Sequence, residues 1–336
     1  MNKLSKEKQK QYWNKHFAEK NIDEENINSI PGFSFPFFVK LTKETPNGEY
    51  IVSTGSYPPQ IKCFSLKDLN LKFQRNLDSD VVDFQILSNN WEKIVFLRSD
   101  GKLDFHDKSG SFYQIKIPEK GCDLTFDNKK LFLFIPGFNK YISILDFKEG
   151  KFLNSVKLSR NHSITCSGIS NFNGLISFGT RQGKIEFWDP RIMKKCIGKI
   201  NGSRYTNFKK SNSISSLRFS DKTENLFFSG FESGEVAVYD LRCFSPLLCK
   251  MIQRLTPVQS IRSSYSSNCI LTSTAKSIQF WKLSTGKTKL FFTPKQTINH
   301  VCSIKNTGMV FFSLNSKNIG VKYFKMLGPL PSWSDM

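Results

Sequence analysis

Apolar residues along this chain fall into short runs separated by Gly, Asn, Asp, Ser or Pro, with almost no helical periodicity, a pattern that predicts strands. Seven segments repeat one design: YIVSTGSYPPQIKCFSL (50–66), KIVFLRSDGKLDFHD (93–107), LFLFIPGFNKYISILDF (131–147), LISFGTRQGKIEFWDP (175–190), LFFSGFESGEVAVYDL (226–241), CILTSTAKSIQFWKL (269–283) and MVFFSLNSKNIGVKYF (309–324). Each is an apolar run, a turn, and a second run ending on a large apolar side chain. Those end residues are Phe64, Phe105, Leu145, Trp188, Tyr239, Trp281 and Tyr323, spaced by 41, 40, 43, 51, 42 and 42. The period matches the roughly 40–45 residues of a WD40 blade. Trp188-Asp189 and Tyr239-Asp240 keep the aromatic–Asp pair of that repeat.

Ahead of each hairpin lies a further apolar stretch, such as VVDFQIL (81–87), ISSLRFS (214–220) and INHVCSI (298–304), which reads as the innermost strand of a four-stranded blade. The predicted fold is all-β: a seven-bladed WD40-type β-propeller over residues 31–326. Residues 1–30 form a basic N-terminal extension, helical in part, because 3–20 lack Gly and Pro and carry Trp13 and Phe17 at i,i+4 spacing. Residues 327–336 form a tail whose Pro329 and Pro331 cannot continue a ladder. Blade seven supplies INHVCSI, MVFFSL and IGVKYF but no fourth run. The expectation is a three-stranded blade whose 319–324 edge is open, with Ile319, Val321 and Tyr323 offered to a partner strand and Lys322 and Lys325 guarding it.

An apolar share of 39% with 14% aromatics suffices for a sizeable core and excludes disorder as the whole answer. No stretch approaches the ~18 apolar residues of a membrane span, and the Lys-bearing start lacks the apolar region of a secretory signal. The reading is a soluble intracellular protein with no membrane partner. Charge adds a second element: 49 Lys+Arg against 28 Asp+Glu give +21 and a pI near 9.6. Such a balance suits proximity to nucleic acid, although the abundance of Lys, Phe, Ile and Asn also fits an AT-rich coding sequence.

Catalytic and cofactor chemistry is sparse. The eight cysteines and four histidines are scattered without metal-ligand spacing, so buried thiols are expected and no metal or other cofactor. Gly179 and Gly183 before Lys184 resemble a phosphate loop that is one residue short, but Gly230 and Gly234 recur in the next blade. The pair is therefore read as hairpin chemistry supplying positive φ. Asp104 and His106 share one strand face, with Asp107 beside them, and no nucleophile motif accompanies them; a structural polar pair at a blade edge is expected. No enzyme activity and no small-molecule substrate are predicted.

Two stretches are candidates for binding. From Arg191 to Lys210 the chain carries Arg191, Lys194, Lys195, Lys199, Arg204, Lys209 and Lys210, no acid, and the aromatics Tyr205 and Phe208, where the blade spacing stretches to 51. Basic and aromatic residues on a long loop suit a phosphate backbone with exposed bases, and a solvated basic loop is the bland alternative. Arg75, Asp78 and Asp80 lie in the polar connection between blades one and two, placed either for a protein contact or as turn caps.

Several blocks go beyond a generic propeller. YPPQIKCF (57–64), LKFQRNLDSDVVDFQILS (71–88), KIVFLRSDGKLDFH (93–106), GKIEFWDPR (183–191), GEVAVYDLRCFSPLL (234–248) and LGPLPSW (327–333) together resemble, in order over about residues 30–333, the WD-repeat region of the essential nuclear protein 2 (nucleolar protein 10) family. The resemblance implies a nucleolar, non-catalytic scaffold of the small-subunit processome, needed for early pre-rRNA processing and 40S biogenesis. Its partners would be pre-ribosomal proteins, with pre-rRNA or small nucleolar RNA close by. That family continues into a long charged, helical C-terminal region and carries a β-like segment before the basic helix, features this sequence does not show. A rival reading rests on Trp188-Asp189-Pro190-Arg191 and Tyr239-Asp240-Leu241-Arg242, which resemble the box by which some WD proteins dock on a cullin ubiquitin-ligase adaptor.

Overall fold

The computed structural model describes residues 27–158, 162–193, 195–202, 213–264 and 268–331. These residues form seven antiparallel sheets of four strands each. Blade one consists of Phe38–Glu44, Tyr50–Ser56, Gln60–Ser65 and Asn70–Asn76, paired in that order from the axis outward. The inner strands of blades two to seven are Val81–Ile86, Thr125–Asp127, Ile164–Ile169, Ile214–Phe219, Val258–Ser263 and Ile298–Ser303. The inner strands of blades three to seven touch in succession, and the ring closes where that of blade one meets that of blade seven. The seven hairpin-ending residues, from Phe64 to Tyr323, all lie on third strands. The helix expected over 3–20 lies outside the described residues.

Burial follows position in the blade. Second and third strands are covered on both sides by neighbouring blades, so Glu235–Asp240 is buried at every residue. Outer strands meet solvent, and Lys151–Lys157 has no fully buried residue. The core is correspondingly divided. Among the described residues there are seven apolar clusters, each straddling two adjacent blades, as where Phe187 and Ile185 of blade four meet Phe219 and Phe231 of blade five. Packing between blades therefore supplies apolar burial that holds the ring together.

Blade seven departs from the sequence expectation. Asn28–Ser34 pairs antiparallel with Asn318–Tyr323 and completes a four-stranded sheet, with Asn28 opposite Val321 and Ser34 opposite Asn318. The 319–324 edge is thus occupied. Ile319 and Val321 are buried, and the half-buried Tyr323 donates its hydroxyl to the Gly328 carbonyl at 3.1 Å. This strand, NSIPGFS, holds Pro31 and Gly32, residues that are uncommon inside a strand. Here they sit in a register break on the outermost strand, where a missing N–H does no harm. Ile30, Phe33 and Phe35 turn inward onto the first blade. Gly320 permits the crossing, because a Cβ there would collide with the Ile27 side chain.

The recurring glycines also divide differently. Gly183 (φ 76°) and Gly234 (φ 89°) supply the left-handed backbone their turns require. Gly179 and Gly230 lie inside strands, and a Cβ on Gly230 would collide with Ser216 Oγ and lie 2.7 Å from Val258. They serve the close approach of the next blade, not a turn.

Candidate functional site

Each inner strand starts at one end of the axial channel and finishes at the other. The end where inner strands finish carries the turns to the second strands and is called here the exit face. The opposite entry face carries the connections between blades and the turns between second and third strands.

Among the described residues of the basic stretch, Arg191 and Lys195 lie in the turn between Lys184–Trp188 and the outer strand Gly198–Asn201. Lys194, Arg204, Tyr205, Lys209 and Lys210 fall outside the described residues. The connection holding the last four runs between Gly202 and Ser213, at the other end of that outer strand. Four residues at about 3.3 Å each separate the two ends by roughly 13 Å, so the stretch is not one loop. Gly202 donates to the Gly183 carbonyl in the second–third turn of blade four, 2.9 Å. From there a chain of contacts crosses the entry face. Lys184 Nζ lies 3.4 Å from His162 Nε2, Arg181 donates its amide to Ser163, and Ile164 donates to Asn139. Phe138, 58% exposed, and Lys140 sit in that last turn. Lys140, Arg181, Lys184 and the exposed Phe138 ring share this face, a juxtaposition that sequence spacing could not show, since they come from two blades.

Arg75 is engaged within the fold. Its Nη2 donates to the Lys108 carbonyl of blade two at 2.8 Å, and its guanidinium carbon lies 4.2 Å from the Phe73 ring centroid. Nη1 is 3.3 Å from His106 Nδ1. Because arginine only donates, Nδ1 accepts and the proton sits on Nε2. Burial, helped by Arg75, pushes the His106 pKa down to about 4. Asp78 accepts from Arg98 at 3.2 Å, while the Asp80 carbonyl accepts the Ser99 amide. Arg98 is the hub: it also pairs with Asp100 at 2.8 Å and with the buried Asp104 at 3.0 Å, and donates to Ser79. Asp104 and His106 are therefore joined to two different arginines, and both stand on a third strand, not at the edge expected.

The Asp of each aromatic–Asp pair closes a turn. Asp189 accepts the Arg191 amide at 2.7 Å, and Asp240 accepts the Arg242 amide at 2.9 Å and its guanidinium at 2.7 Å. Asp146, which no Arg follows, accepts the Lys148 amide identically at 2.8 Å. The spacing is turn chemistry shared between blades.

The axial channel, about 500 Å³, is lined by polar and apolar side chains, most of them on the inner strands. Lys43 bridges Asp83 at 2.6 Å and donates to the Phe84 carbonyl. Asp123 accepts both the amide and the hydroxyl of Ser167, and burial beside Asp83 raises its pKa. Inner strands put one residue in two toward the axis, so alternation could have flagged Lys43, Asp83 and Arg262; only their convergence needed the closed ring.

Seven radially arranged four-stranded sheets closed by strands from both ends of the domain define a WD-type β-propeller, a class that works by presenting surfaces. The chain belongs to the nucleolar protein 10-like family, whose N-terminal domain model, a β-propeller, matches residues 1–336. It is 33% identical over 321 residues to Nucleolar protein 10 of Mus musculus, covering 94% of this chain and 46% of the relative. It is 30% identical to the Ribosome biogenesis protein enp2 homolog of Schizosaccharomyces pombe (91% and 50% covered) and 29% identical to Ribosome biogenesis protein ENP2 of Saccharomyces cerevisiae (91% and 43%). The chain spans about half the length of the curated relatives it matches.

Proposed function

We propose that this propeller is a non-catalytic scaffold of ribosome biogenesis, acting in the nucleolus on the early small-subunit precursor. The observation that carries it is the match of the whole chain to a family whose relatives are named for the nucleolus and for ribosome biogenesis. The fold supports the reading, because a closed ring with wet outer strands offers two faces and seven edges to partners while its core stays rigid. Within it, pre-ribosomal proteins of the small-subunit processome are the partners. The entry-face cations Lys140, Arg181 and Lys184, on a chain of net charge +21, lie toward pre-rRNA or small nucleolar RNA.

Sedimentation and depletion test this together. The protein should migrate with large pre-ribosomal particles, and its loss should block early 18S rRNA maturation. Unchanged 18S precursors and 40S levels after depletion reject the reading.

A further inference from the structure

Blade two sits in the ring differently from the others. Among the described residues, each of the other five junctions brings an inner strand close against strands of the next blade, and blade two makes no approach of that extent to blade one or blade three. Side chains at the axial channel span both gaps. Lys43 of blade one bridges Asp83 at 2.6 Å and donates to the Phe84 carbonyl at 2.6 Å. On the other side Gln85 donates to the Leu124 carbonyl at 2.6 Å, and the Asp83 and Asp123 carboxyl groups lie within hydrogen-bond reach of each other. Blade four fixes Asp123 in turn, since its Oδ2 accepts both the amide and the hydroxyl of Ser167, at 2.8 and 2.9 Å.

Ionised carboxylates only accept, so this pair bonds only when one member carries a proton. Like charges this close do not both ionise. Lys43 holds the negative charge on Asp83, which leaves the proton to Asp123. Both Ser167 bonds land on Oδ2, so Oδ1 is the oxygen free to donate. Burial first, and Asp83 second, raise the Asp123 pKa to about 7. The other titratable groups around the pair stay neutral: burial pushes the Cys122 and Cys166 thiols up, and His300, beyond Lys43 on blade seven, is pushed down to about 3. Glu44, lifted to about 7, faces Arg262 and Lys305 at the exit end instead.

We propose that blade two is the releasable wedge of the ring, held at the axial channel by one proton shared between Asp83 and Asp123, and that loss of this proton frees Val81–Ile86 from blade three. Lys43 offsets one carboxylate and not two, so deprotonation turns a hydrogen bond into a repulsion. Further from the axis, Leu97 and Leu103 of blade two share an apolar cluster with Leu133 and Ile135 of blade three. The loosening therefore stays at the channel edge and the ring remains closed. The device does not depend on the scaffold reading.

The test is amide hydrogen exchange on the full chain at about pH 6 and about pH 8.5, a window in which neither His106 nor His300 titrates. Asp123→Asn is the reference at each pH, because its amide donates to Asp83 whatever the pH and the comparison cancels base-catalysed exchange. Wild type and Asp123→Asn should protect residues 81–86 equally at the lower pH. At the higher pH wild type should lose roughly tenfold in protection there and none in Val258–Ser263 of blade six. Thermal melts check that the variant folds. Carbon-13 NMR of labelled aspartate in the wild-type chain needs no variant, and one carboxyl should titrate near neutrality. Equal protection at both pH values, an equal loss in blade six, or titration of every aspartate below about pH 5 each overturns the proposal.

Discussion

Phe33 stacks on Phe64, with ring centroids 4.3 Å apart and planes 17° from parallel. The strand that completes the last blade is thereby clamped by the third strand of the first, and both rings are fully buried. Phe33→Ala should cost about 3–5 kcal/mol, the range for truncating a buried aromatic. Denaturant melts measure it, and a loss under ~1 kcal/mol would mean that the closing strand contributes little.

Arg75 and Asp80 should separate in their effects. Arg75→Glu breaks the bond to the Lys108 carbonyl and places a carboxylate beside a neutral buried imidazole. Stability should fall by about 1–3 kcal/mol. Asp80→Lys changes a half-buried residue whose carbonyl, not its carboxylate, makes the described contact to Ser99. It should leave the melting temperature nearly unchanged. If Asp80→Lys also weakens particle cosedimentation, the connection between blades one and two is a contact surface; unaltered sedimentation would reduce it to a turn.

Buried groups pull the pH dependence of stability in opposite directions: Glu44 and Asp123, both raised to about 7, favour the folded state as pH falls, and His106 disfavours it. His106 is held near pKa 4 against about 6.5 in an unfolded chain, so between those values the unfolded state binds more protons. The His106 contribution is therefore full above pH ~6.5 and is lost as pH falls toward 4, by roughly 2–3 kcal/mol. His300, pushed down to about 3 by burial and by Arg262, adds a slope of the same sign. His106→Asn, which keeps an acceptor for Arg75, should remove about one proton's worth of slope from urea midpoints measured at pH 7 and pH 5. An unchanged slope would show that His106 is already solvated in the folded state.

The two ends of the basic stretch should respond independently in RNA crosslinking. Lys209→Glu with Lys210→Glu alters the connection anchored beside Lys184 and Arg181, and should reduce crosslinking and its salt dependence. Lys194→Glu with Lys195→Glu alters the turn about 13 Å of strand away and should leave crosslinking near the wild-type level. Equal loss from both pairs would point to diffuse charge instead of a site.

Local signals make the repeat legible along the chain: the spacing from Phe64 to Tyr323, the inner runs, and the turn glycines Gly183 and Gly234 all report on sequence neighbours. What failed to show was non-local. Asn28–Ser34 is a strand only because Asn318–Tyr323 lies beside it, and its Pro and Gly argue against it in isolation. Gly179 and Gly230 look like turn residues until the adjacent blade fills the space a Cβ would need. The family blocks are readable as words, yet the residues sharing a surface, such as Lys140 with Lys184 or Arg262 with Glu44, come from different blades. Only ring closure brings them together.

That closure has a temporal side. Thr42 hydrogen-bonds Ser313 at 2.6 Å across 271 positions of chain, and Ile30 and Phe33 are buried against strands just as distant. At a synthesis rate of about 5–20 residues per second, the first blade waits on the order of 10–60 s for its neighbour to be translated. Throughout that interval the nascent chain carries Ile30, Phe33 and Phe35 without the cover that Ile319 and Val321 later give. A ribosome stalled before Asn318 would release a chain with six blades, the first two strands of the seventh, and an uncovered apolar flank at Asn28–Ser34. The finished ring differs from an unfinished one in hiding that flank, because Ile30, Phe33 and Phe35 pack in one cluster with Ile319 and Val321.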